Sequence, residues 1–445
     1  MRFLRHIPLA ILGIVASRVL ASPVVVKPGT AKNIVITDDD TVNATETSTP
    51  KTVPVHIMFT STTTTSGQLN LSLYNTLDSN SVNAYITGLD VNGALVMLYP
   101  NGSWYYPPHT SSPVPVPITA DVAIPLGGEG TTTLITLPGY LSAGRVWFAD
   151  GDLQFFTVAG ASGPSLVEPS AVNPSDPSAD VNWGFVELTN DKDEGLYANI
   201  SYVDFVGLAL GMNLATGDNN NQSAEGVDYD AVAGICADLQ AQAAIDGQPW
   251  NELCMTDSNG NVLRVLSPTQ YLSINSSAFS NYWTSYVDQV WTHYTTTPLT
   301  INTQAAAGYV NCSVTNDTLY CEGDNRGYAK PIASDIFGCN NGPFAIESGD
   351  NAIHYAVVPR LCAAFHRTTF LLPGGNIQPS LDSSHYYSTT PTNWYSALVH
   401  NYEVDGKGYA FAYDDVTPSG TTNESGLLAD TEPELLTITI GGPVC

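Results

Sequence analysis

Short apolar runs separated by turn residues dominate the first half of the chain. The runs are rich in β-branched and aromatic residues, and Asn92-Gly93 and Asn101-Gly102 stand between them as hairpin-turn sequences. The predicted strands are Val55–Thr60, Val82–Leu89, Ala94–Tyr99, Ala120–Pro125, Thr132–Leu137, Val146–Ala149 and Leu153–Val158. This pattern predicts a β-sandwich or barrel over residues 55–215.

The spacing of apolar residues becomes helical in the middle of the chain. Asp228–Ile245 places apolar residues three or four positions apart, and Gly247 follows as a stop signal. Pro359 should kink one of the later helices or mark its true start. Those later helices are predicted over Ser280–His293, Ile353–Thr368 and Thr392–Tyr402.

The order of these patterns suggests two lobes. Residues 216–395 form a predicted mixed α/β lobe, and Asp430–Gly442 returns to a strand pattern. The predicted β lobe therefore combines residues 55–215 with residues 396–445. We expect a mainly β fold with an α/β part, in which the two lobes form one unit.

Two segments precede the predicted lobes. Arg2 and Arg5 followed by the apolar run Ile7–Ala16 predict a signal peptide over residues 1–21, too short to span a bilayer, and no later stretch is long enough to span. Residues 22–54 are rich in Thr, Asp and Pro, which predicts a flexible or processed leader. We therefore expect a secreted protein.

Composition agrees with an extracellular location. The 445 residues carry a formal net charge of −28, although only 13% of them are charged. This acidic balance argues against binding to nucleic acid or an anionic membrane and suits a neutral polymer such as a polysaccharide, although it could equally serve solubility. Nine Asn-x-Ser/Thr sequons further favour a secreted glycoprotein, and one of them, Asn199, lies in the candidate catalytic segment described below.

Seven cysteines predict three disulfides and one odd thiol in an oxidising compartment. Sequence alone does not fix their connectivity, but proximity along the chain favours three pairs. A predicted hairpin around Asn316-Asp317 supports the second pair, and the last residue, Cys445, would remain unpaired. The favoured pairs are Cys236–Cys254, Cys312–Cys321 and Cys339–Cys362.

Two acidic residues stand inside apolar runs. Glu187 lies between Val186 and Leu188, and Asp204 lies between Val203 and Phe205. A carboxyl group in such a run is costly to place unless it faces a polar cleft, although Glu187 could also face water at the edge of a strand. Two carboxyl groups at one cleft are what glycoside hydrolysis requires, one as acid and the other as base or nucleophile.

Five ordered segments resemble glycoside hydrolase family 64, the secreted thaumatin-like β-1,3-glucanases, here of a fungal-like kind. They are VNAYITGLD (82–90), NGSWYYP (101–107), FVELTND with GLYANISYVDFVGLALGM (185–212), RLCAAFHRTTFL (360–371) and NWYSALVHNYEVDGKGYAFAYDDV (393–416). The resemblance implies a thaumatin-like β lobe and an α/β lobe around a wide acidic groove. It also implies endo-cleavage of β-1,3-glucan with inversion, typically to a pentasaccharide.

The resemblance also implies roles for individual residues. Glu187 would be the general acid and Asp204 the general base. Thr189 would contact sugar, and Tyr197 stands where the family can have a stacking Trp. The pair Asp414 and Asp415 matches aspartates that line the cleft in thaumatin-like proteins, although both could instead make turn hydrogen bonds.

The catalytic pair constrains the predicted hairpin. A turn centred near Asp193 would place Glu187 opposite Asn199, with Asp204 roughly 16 Å along the strand and on the other face. Inverting glycosidases hold their carboxyl groups roughly 6.5–9.5 Å apart. The assignment therefore predicts a tighter turn at Gly195-Leu196, or a bulge in the longer hairpin.

Other chemistries have little support in the sequence. No His or Cys spacing suits a metal, and there is neither a GxSxG elbow nor a glycine-rich nucleotide loop, so no cofactor is expected. The main alternative is a thaumatin-like protein that binds β-glucan without cleaving it. In either case the expected partner is β-1,3-glucan, and we expect a monomer.

Overall fold

A computed structural model of the protein describes residues 22–37, 40–43, 67–421 and 423–442. The predicted signal peptide, the predicted strand Val55–Thr60 and the odd cysteine Cys445 lie outside these residues. Within the described residues, no helix combines the length and the apolar character needed to cross a membrane.

The largest sheet has eight strands and is antiparallel throughout. Burial differs along the sheet: Gly195–Ile200 alternates buried and partly exposed residues, whereas Leu95–Leu98 is buried throughout. In spatial order the strands are Leu428–Asp430, Gly195–Ile200, Asn182–Asp191, Leu141–Asp150, Val82–Leu89, Leu95–Leu98 and Trp104–Tyr105, with Ile124–Pro125 also pairing to Val82–Leu89.

A second sheet of five strands shares an apolar core with the large sheet. Val186 of the large sheet and Leu71 and Ile438 of the second sheet are all completely buried in that core. The second sheet contains Gln222–Ala224, Leu210–Thr216, Pro433–Ile440, Leu69–Asn75 and Thr132–Leu137, in that order. Its central strand comes from the C-terminal part of the chain, in agreement with the predicted return to strand.

Two four-stranded sheets include the segment before residue 44. One contains Thr41–Asn43, Pro164–Val167, Phe156–Ala159 and Val116–Pro117, and the other Val24–Val25, Cys254–Thr256, Val262–Leu266 and Phe205–Val206. This part of the expected flexible leader is therefore ordered. Its polar composition concealed a short apolar run ending at Val26, whose side chain is only 2% exposed.

The α/β part contains a fifth sheet and most of the helices. The sheet contains Gly327–Tyr328, Thr318–Cys321, Tyr309–Thr315, Leu299–Asn302 and Ile377–Gln378. Cys312 lies directly opposite Cys321 in the predicted hairpin. All three predicted disulfides, Cys236–Cys254, Cys312–Cys321 and Cys339–Cys362, are confirmed.

Four of the six α-helices among the described residues were predicted. Asn351 caps the helix Ala352–His366 by accepting hydrogen bonds from the Ile353 and His354 amides, so Pro359 lies inside this helix and does not mark its start. The six are Ala231–Asp246, Pro268–Ile274, Thr284–His293, Ala333–Gly338, Ala352–His366 and Trp394–Tyr402, and short 3₁₀ turns occur at Ala31–Asn33, Trp250–Leu253, Gly342–Phe344 and Ser383–His385. The result is the predicted mainly β fold with an α/β part.

Candidate active site

The hairpin that carries Glu187 has the wider of the two turns considered, the one centred near Asp193. Glu187 pairs with Asn199, and the strands meet at Asp191 and Gly195. The Asp191 carboxylate accepts hydrogen bonds from the amides of Asp193 (2.7 Å) and Glu194 (3.0 Å), which fixes the wider turn. The prediction of a tighter turn at Gly195-Leu196 is therefore wrong, and the paired residues contain no bulge.

Asp204 lies beyond the hairpin. The strand ends at Ile200, and Asp204 directly precedes the short strand Phe205–Val206. The Asp204 main-chain carbonyl accepts a hydrogen bond from the Ser267 amide (2.8 Å), and its Oδ1 accepts one from Gln270 Nε2 (2.8 Å). Its half-buried carboxyl group is thus anchored to the start of the helix Pro268–Ile274.

A row of polar side chains crosses the large sheet at Glu187. Thr87, Arg145, Glu187 and Asn199 are direct neighbours on four adjacent strands. Arg145 Nη2 lies 3.4 Å from Glu187 Oε1, and Asn199 Nδ2 donates to Glu187 Oε2 at 3.3 Å. The Glu187 side chain is 36% exposed, so two donors hold its carboxyl group while it still reaches solvent.

Arg145 is held on its other side by a second carboxylate. Arg145 Nη1 lies 2.5 Å from Glu168 Oε2, and the Glu168 side chain is only 1% exposed. The guanidinium also packs over the rings of Phe185 (4.6 Å to the centroid) and Trp147 (5.6 Å). Its position between Glu168 and Glu187 is therefore closely defined.

The electrostatics around Arg145 connect the two predicted catalytic residues. Burial opposes the charge of Arg145, but the negative charges of Glu168, Glu187 and Asp204 raise its pKa well above the usual range. Glu187 contacts this guanidinium directly, and Asp204 acts on it through its charge. Burial raises the pKa of Glu168, and the ion pair with Arg145 opposes that rise.

A β-bulge precedes Arg145 in its strand. The register shifts between Leu141 and Gly144, and Ala143 has a φ of 46°. A side chain at Gly144 would meet the Leu188 carbonyl oxygen at 2.8 Å, so the strands can approach closely there only because this residue is glycine. β-Bulges often direct side chains at active sites, and this bulge lies beside Glu187.

A cavity of about 510 Å³ opens above this row. Thr189 and Tyr197, the predicted sugar contacts, face each other across the hairpin two positions from the Glu187–Asn199 pair. Both line the cavity together with Glu187, and so do Thr41 and Val42 from the N-terminal segment. The size is typical of a small-molecule or oligosaccharide site.

Asp414 and Asp415 have different surroundings. Asp414 is completely buried, and its carboxylate lies 2.8 Å from Arg367 Nη2 and 2.9 Å from His400 Nε2. Burial would raise the pKa of Asp414, but these partners outweigh it and hold that pKa below its usual value. Direct sugar contact by Asp414 does not fit this burial. Asp415 is exposed, and its predicted contact role stays a prediction.

Glu168, Arg145 and Tyr409 were missed by the sequence reasoning. Glu168 follows Val167 in an apolar run, which is the same signal that selected Glu187. Tyr409 pairs with the end of the hairpin strand at Ser201. Burial raises its pKa first, and the charges of Asp415, Asp414 and Glu187 add to the rise, so this ring lies within reach of the site.

Among the described residues, two groups of side chains bring three potential metal-ligand atoms within 4.8 Å of one another. Cys339 and Cys362, beside His366, are joined as a disulfide. In the other group, His400, Asp414 and Glu424, the aspartate already pairs with the Arg367 guanidinium. Neither group suits a divalent cation. The two cysteines are oxidised and offer no thiolate, and the Arg367 guanidinium places a positive charge against Asp414.

Comparison with known proteins points to one family. The family model for β-1,3-glucanases of glycoside hydrolase family 64 matches residues 67–440. Glucan endo-1,3-β-glucosidases of Cellulosimicrobium cellulans and of Arthrobacter sp. (strain YCWD3) are each 26% identical over 280 residues, or 62% of this chain. The match covers 48% of each relative, so the chain spans about half the length of the curated relatives it matches.

Solved structures show the same fold. A laminaripentaose-producing β-1,3-glucanase in complex with laminaritetraose aligns with a TM-score of 0.73 and 27% identity, covering 84% of this chain and 98% of that chain. A β-1,3-glucanase domain from Clostridium beijerinckii aligns with a TM-score of 0.64 and 19% identity, covering 86% and 100%.

Proposed function

The chain belongs to glycoside hydrolase family 64, and on that basis we propose that it is an endo-β-1,3-glucanase that cleaves its substrate with inversion. The observation that carries the proposal is the setting of Glu187. Its carboxyl group opens into a cavity, between Arg145 and Asn199, at the position where the family resemblance puts the general acid.

In the proposed reaction Glu187 donates a proton to the glycosidic oxygen as the bond from that oxygen to C1 breaks. Asp204 accepts a proton from a water molecule whose oxygen attacks C1 from the opposite face of the ring. The products are a leaving chain with a free C3 hydroxyl group and a second chain with a new reducing end of inverted, α configuration. Exchange with solvent then returns the proton to Glu187 and removes it from Asp204.

The remaining cavity residues would hold the glucan. Thr189 presents a hydroxyl beside Glu187, and Tyr197 offers a ring against which a sugar can pack. Arg145 lies where it can balance the negative charges of both catalytic carboxyl groups, while the buried Glu168 limits its effect on Glu187.

We also propose that the protein acts as a secreted monomer. The N-terminal segment with its signal-peptide pattern and the three disulfides support secretion, because disulfides persist in oxidising compartments. Secretion can be tested by expressing the full chain in a eukaryotic host and locating the protein and its N-terminus in the medium. Sedimentation of that material measures the oligomeric state.

The test of function is product analysis on linear β-1,3-glucan, with β-1,4-glucan as the substrate control. Glu187→Gln and Asp204→Asn should each lower cleavage by about 10² to 10⁴, as expected for loss of a general acid or base. Asp193→Asn is the matched control, because it removes an exposed carboxylate from the same hairpin. Binding of β-1,3-glucan without cleavage by the wild-type protein would contradict the proposal and favour a glucan-binding protein.

A further inference from the structure

The N-terminal segment reaches the cavity from outside the part of the chain that matches the family. The match begins at residue 67, whereas residues 24–37 and 40–43, which we call the N-terminal strap, pack against the body of the protein. Thr41 and Val42 of the strap line the same cavity as Glu187. This part of the cavity wall is therefore an addition to the matched fold.

The first part of the strap is anchored by main-chain pairing. Val24–Val25 adds a parallel strand beside Met255 and Thr256, and the Val26 amide donates to the Thr256 carbonyl oxygen at 2.8 Å. The Lys27 amide donates to the Pro174 carbonyl oxygen, also at 2.8 Å. These bonds tie the strap to the strand Cys254–Thr256 and to the turn at Pro174.

The second part is anchored beside the site. Thr41–Asn43 pairs antiparallel with Ser165–Val167, and Asn43 Oδ1 accepts a hydrogen bond from Ser165 Oγ at 2.6 Å. The Glu168 amide donates to the Asp40 carbonyl oxygen at 2.9 Å. The strap therefore holds the main chain of the residue whose carboxylate pairs with Arg145.

The wall that the strap supplies has a mixed character suited to a sugar. Val42 lies directly opposite Leu166 and packs against the aromatic cluster that supports Arg145. Thr41 is only partly buried at the cavity, where its side chain combines a methyl group with a hydroxyl. A pyranose ring likewise presents an apolar face and a rim of hydroxyl groups.

We propose that the N-terminal strap forms one wall of the glucan-binding cavity and that Thr41 and Val42 contact the bound oligosaccharide. This inference rests on the proposed function, because it takes the ligand of the cavity to be β-1,3-glucan. It adds specificity residues that lie outside the family-matched region. The strap acts on substrate binding and takes no part in the chemical step.

The test measures binding separately from cleavage. Laminarihexaose is titrated calorimetrically into full-length protein carrying Glu187→Gln, which prevents turnover, with and without Thr41→Trp. A bulky ring in the wall should raise the Kd at least about tenfold. Lys32→Trp is the matched control, because Lys32 is an exposed strap residue that does not line the cavity, and it should leave the Kd within about twofold.

A second variant protects the test against misfolding. If Thr41→Trp lowers the thermal midpoint sharply, the double variant Thr41→Ala and Val42→Ala keeps the strand and removes the wall side chains. It should weaken hexasaccharide binding about three- to tenfold, while the thermal midpoint falls only by the small amount expected from trimming the partly buried Val42. An unchanged Kd in a folded wall variant would overturn the proposal.

Two further outcomes are decisive. Asn43→Ala removes the side-chain anchor to Ser165, and tighter binding or faster cleavage in this variant would show that the strap obstructs the cavity, which would also overturn the proposal. If the wild-type protein binds but does not cleave glucan, and Thr41→Trp weakens that binding, the wall is supported although the proposed hydrolysis fails.

Discussion

Replacing Glu168 with Gln tests how the buried Glu168–Arg145 ion pair supports the site. The substitution preserves the shape of a side chain that is 1% exposed and removes the charge that lies 2.5 Å from Arg145. Arg145 then keeps its contact with Glu187, at 3.4 Å, and the longer-range effect of Asp204. Both the stability of the protein and its activity should change.

The stability effect follows from breaking a buried ion pair. Loss of one partner typically costs about 3–5 kcal/mol, and the lower end applies because 22% of the Arg145 side chain is exposed. The shift in thermal midpoint is the lost free energy divided by the entropy of unfolding, which is about 2 cal/mol/K for each of the matched residues 67–440. A loss of about 3 kcal/mol therefore lowers the thermal midpoint by about 4 °C. Differential scanning calorimetry measures this shift, with the exposed Glu129→Gln as the control.

The activity effect follows from the position of Arg145. The guanidinium is shared between Glu168 at 2.5 Å and Glu187 at 3.4 Å. Without Glu168 it should move closer to Glu187 and compete with the glycosidic oxygen for that carboxyl group. The value of kcat/KM on β-1,3-glucan should therefore fall about fivefold, which corresponds to about 1 kcal/mol.

A double variant distinguishes this reasoning from general damage to the site. Arg145→Met combined with Glu168→Gln removes the unpaired cation, so kcat/KM should recover part of the loss. The double variant should also recover part of the lost stability, because no buried charge is left unpaired. A Glu168→Gln variant with an unchanged kcat/KM and a thermal midpoint within about 1 °C of wild type would refute the account of this charge pair.

Three other predictions follow from the structure. Asp414→Asn should lower the free energy of unfolding by about 3 kcal/mol with little change in KM, because it breaks a buried ion pair. Asp415→Asn should raise KM without changing stability. Denaturation and steady-state kinetics on both variants test this contrast. Tyr197→Ala should raise KM several-fold and Tyr197→Trp should not, because a ring is needed for packing against sugar. Burial raises the pKa of Asp40 to about 6, so the strap should dock best below about pH 4 and more weakly as the pH rises through about 6. Amide exchange of the described strap residues across this range measures the change in docking. Asp40→Asn should abolish this pH dependence.

The elements of the fold could be predicted where the signal is local. Short apolar runs and Asn-Gly turns predict several strands of the large sheet, such as Val82–Leu89, because both signals lie within or next to the strand itself. The short helix Pro268–Ile274 was not predicted, since it has only seven residues and begins at a proline. The turn after Asp191 could have been read correctly, because an aspartate at the start of a turn accepts hydrogen bonds from the following amides.

The site was only partly predictable. The resemblance selected Glu187, Thr189 and Tyr197, which lie in one hairpin, and all three line one cavity. The contact between Glu168 and Arg145 depends on packing between a residue of one strand and the residue just after another strand, 23 positions apart, which no local pattern encodes. The burial of Asp414 similarly depends on Arg367, a residue 47 positions away.

The most direct test of the central claim is the configuration of the first product. Proton NMR recorded within minutes of adding enzyme to β-1,3-glucan identifies the anomer formed before mutarotation. Glu187 as general acid and Asp204 as general base predict the α-anomer, with signal lost in Glu187→Gln and in Asp204→Asn. Initial release of the β-anomer would contradict the account, because it requires a covalent intermediate and a carboxylate acting as nucleophile.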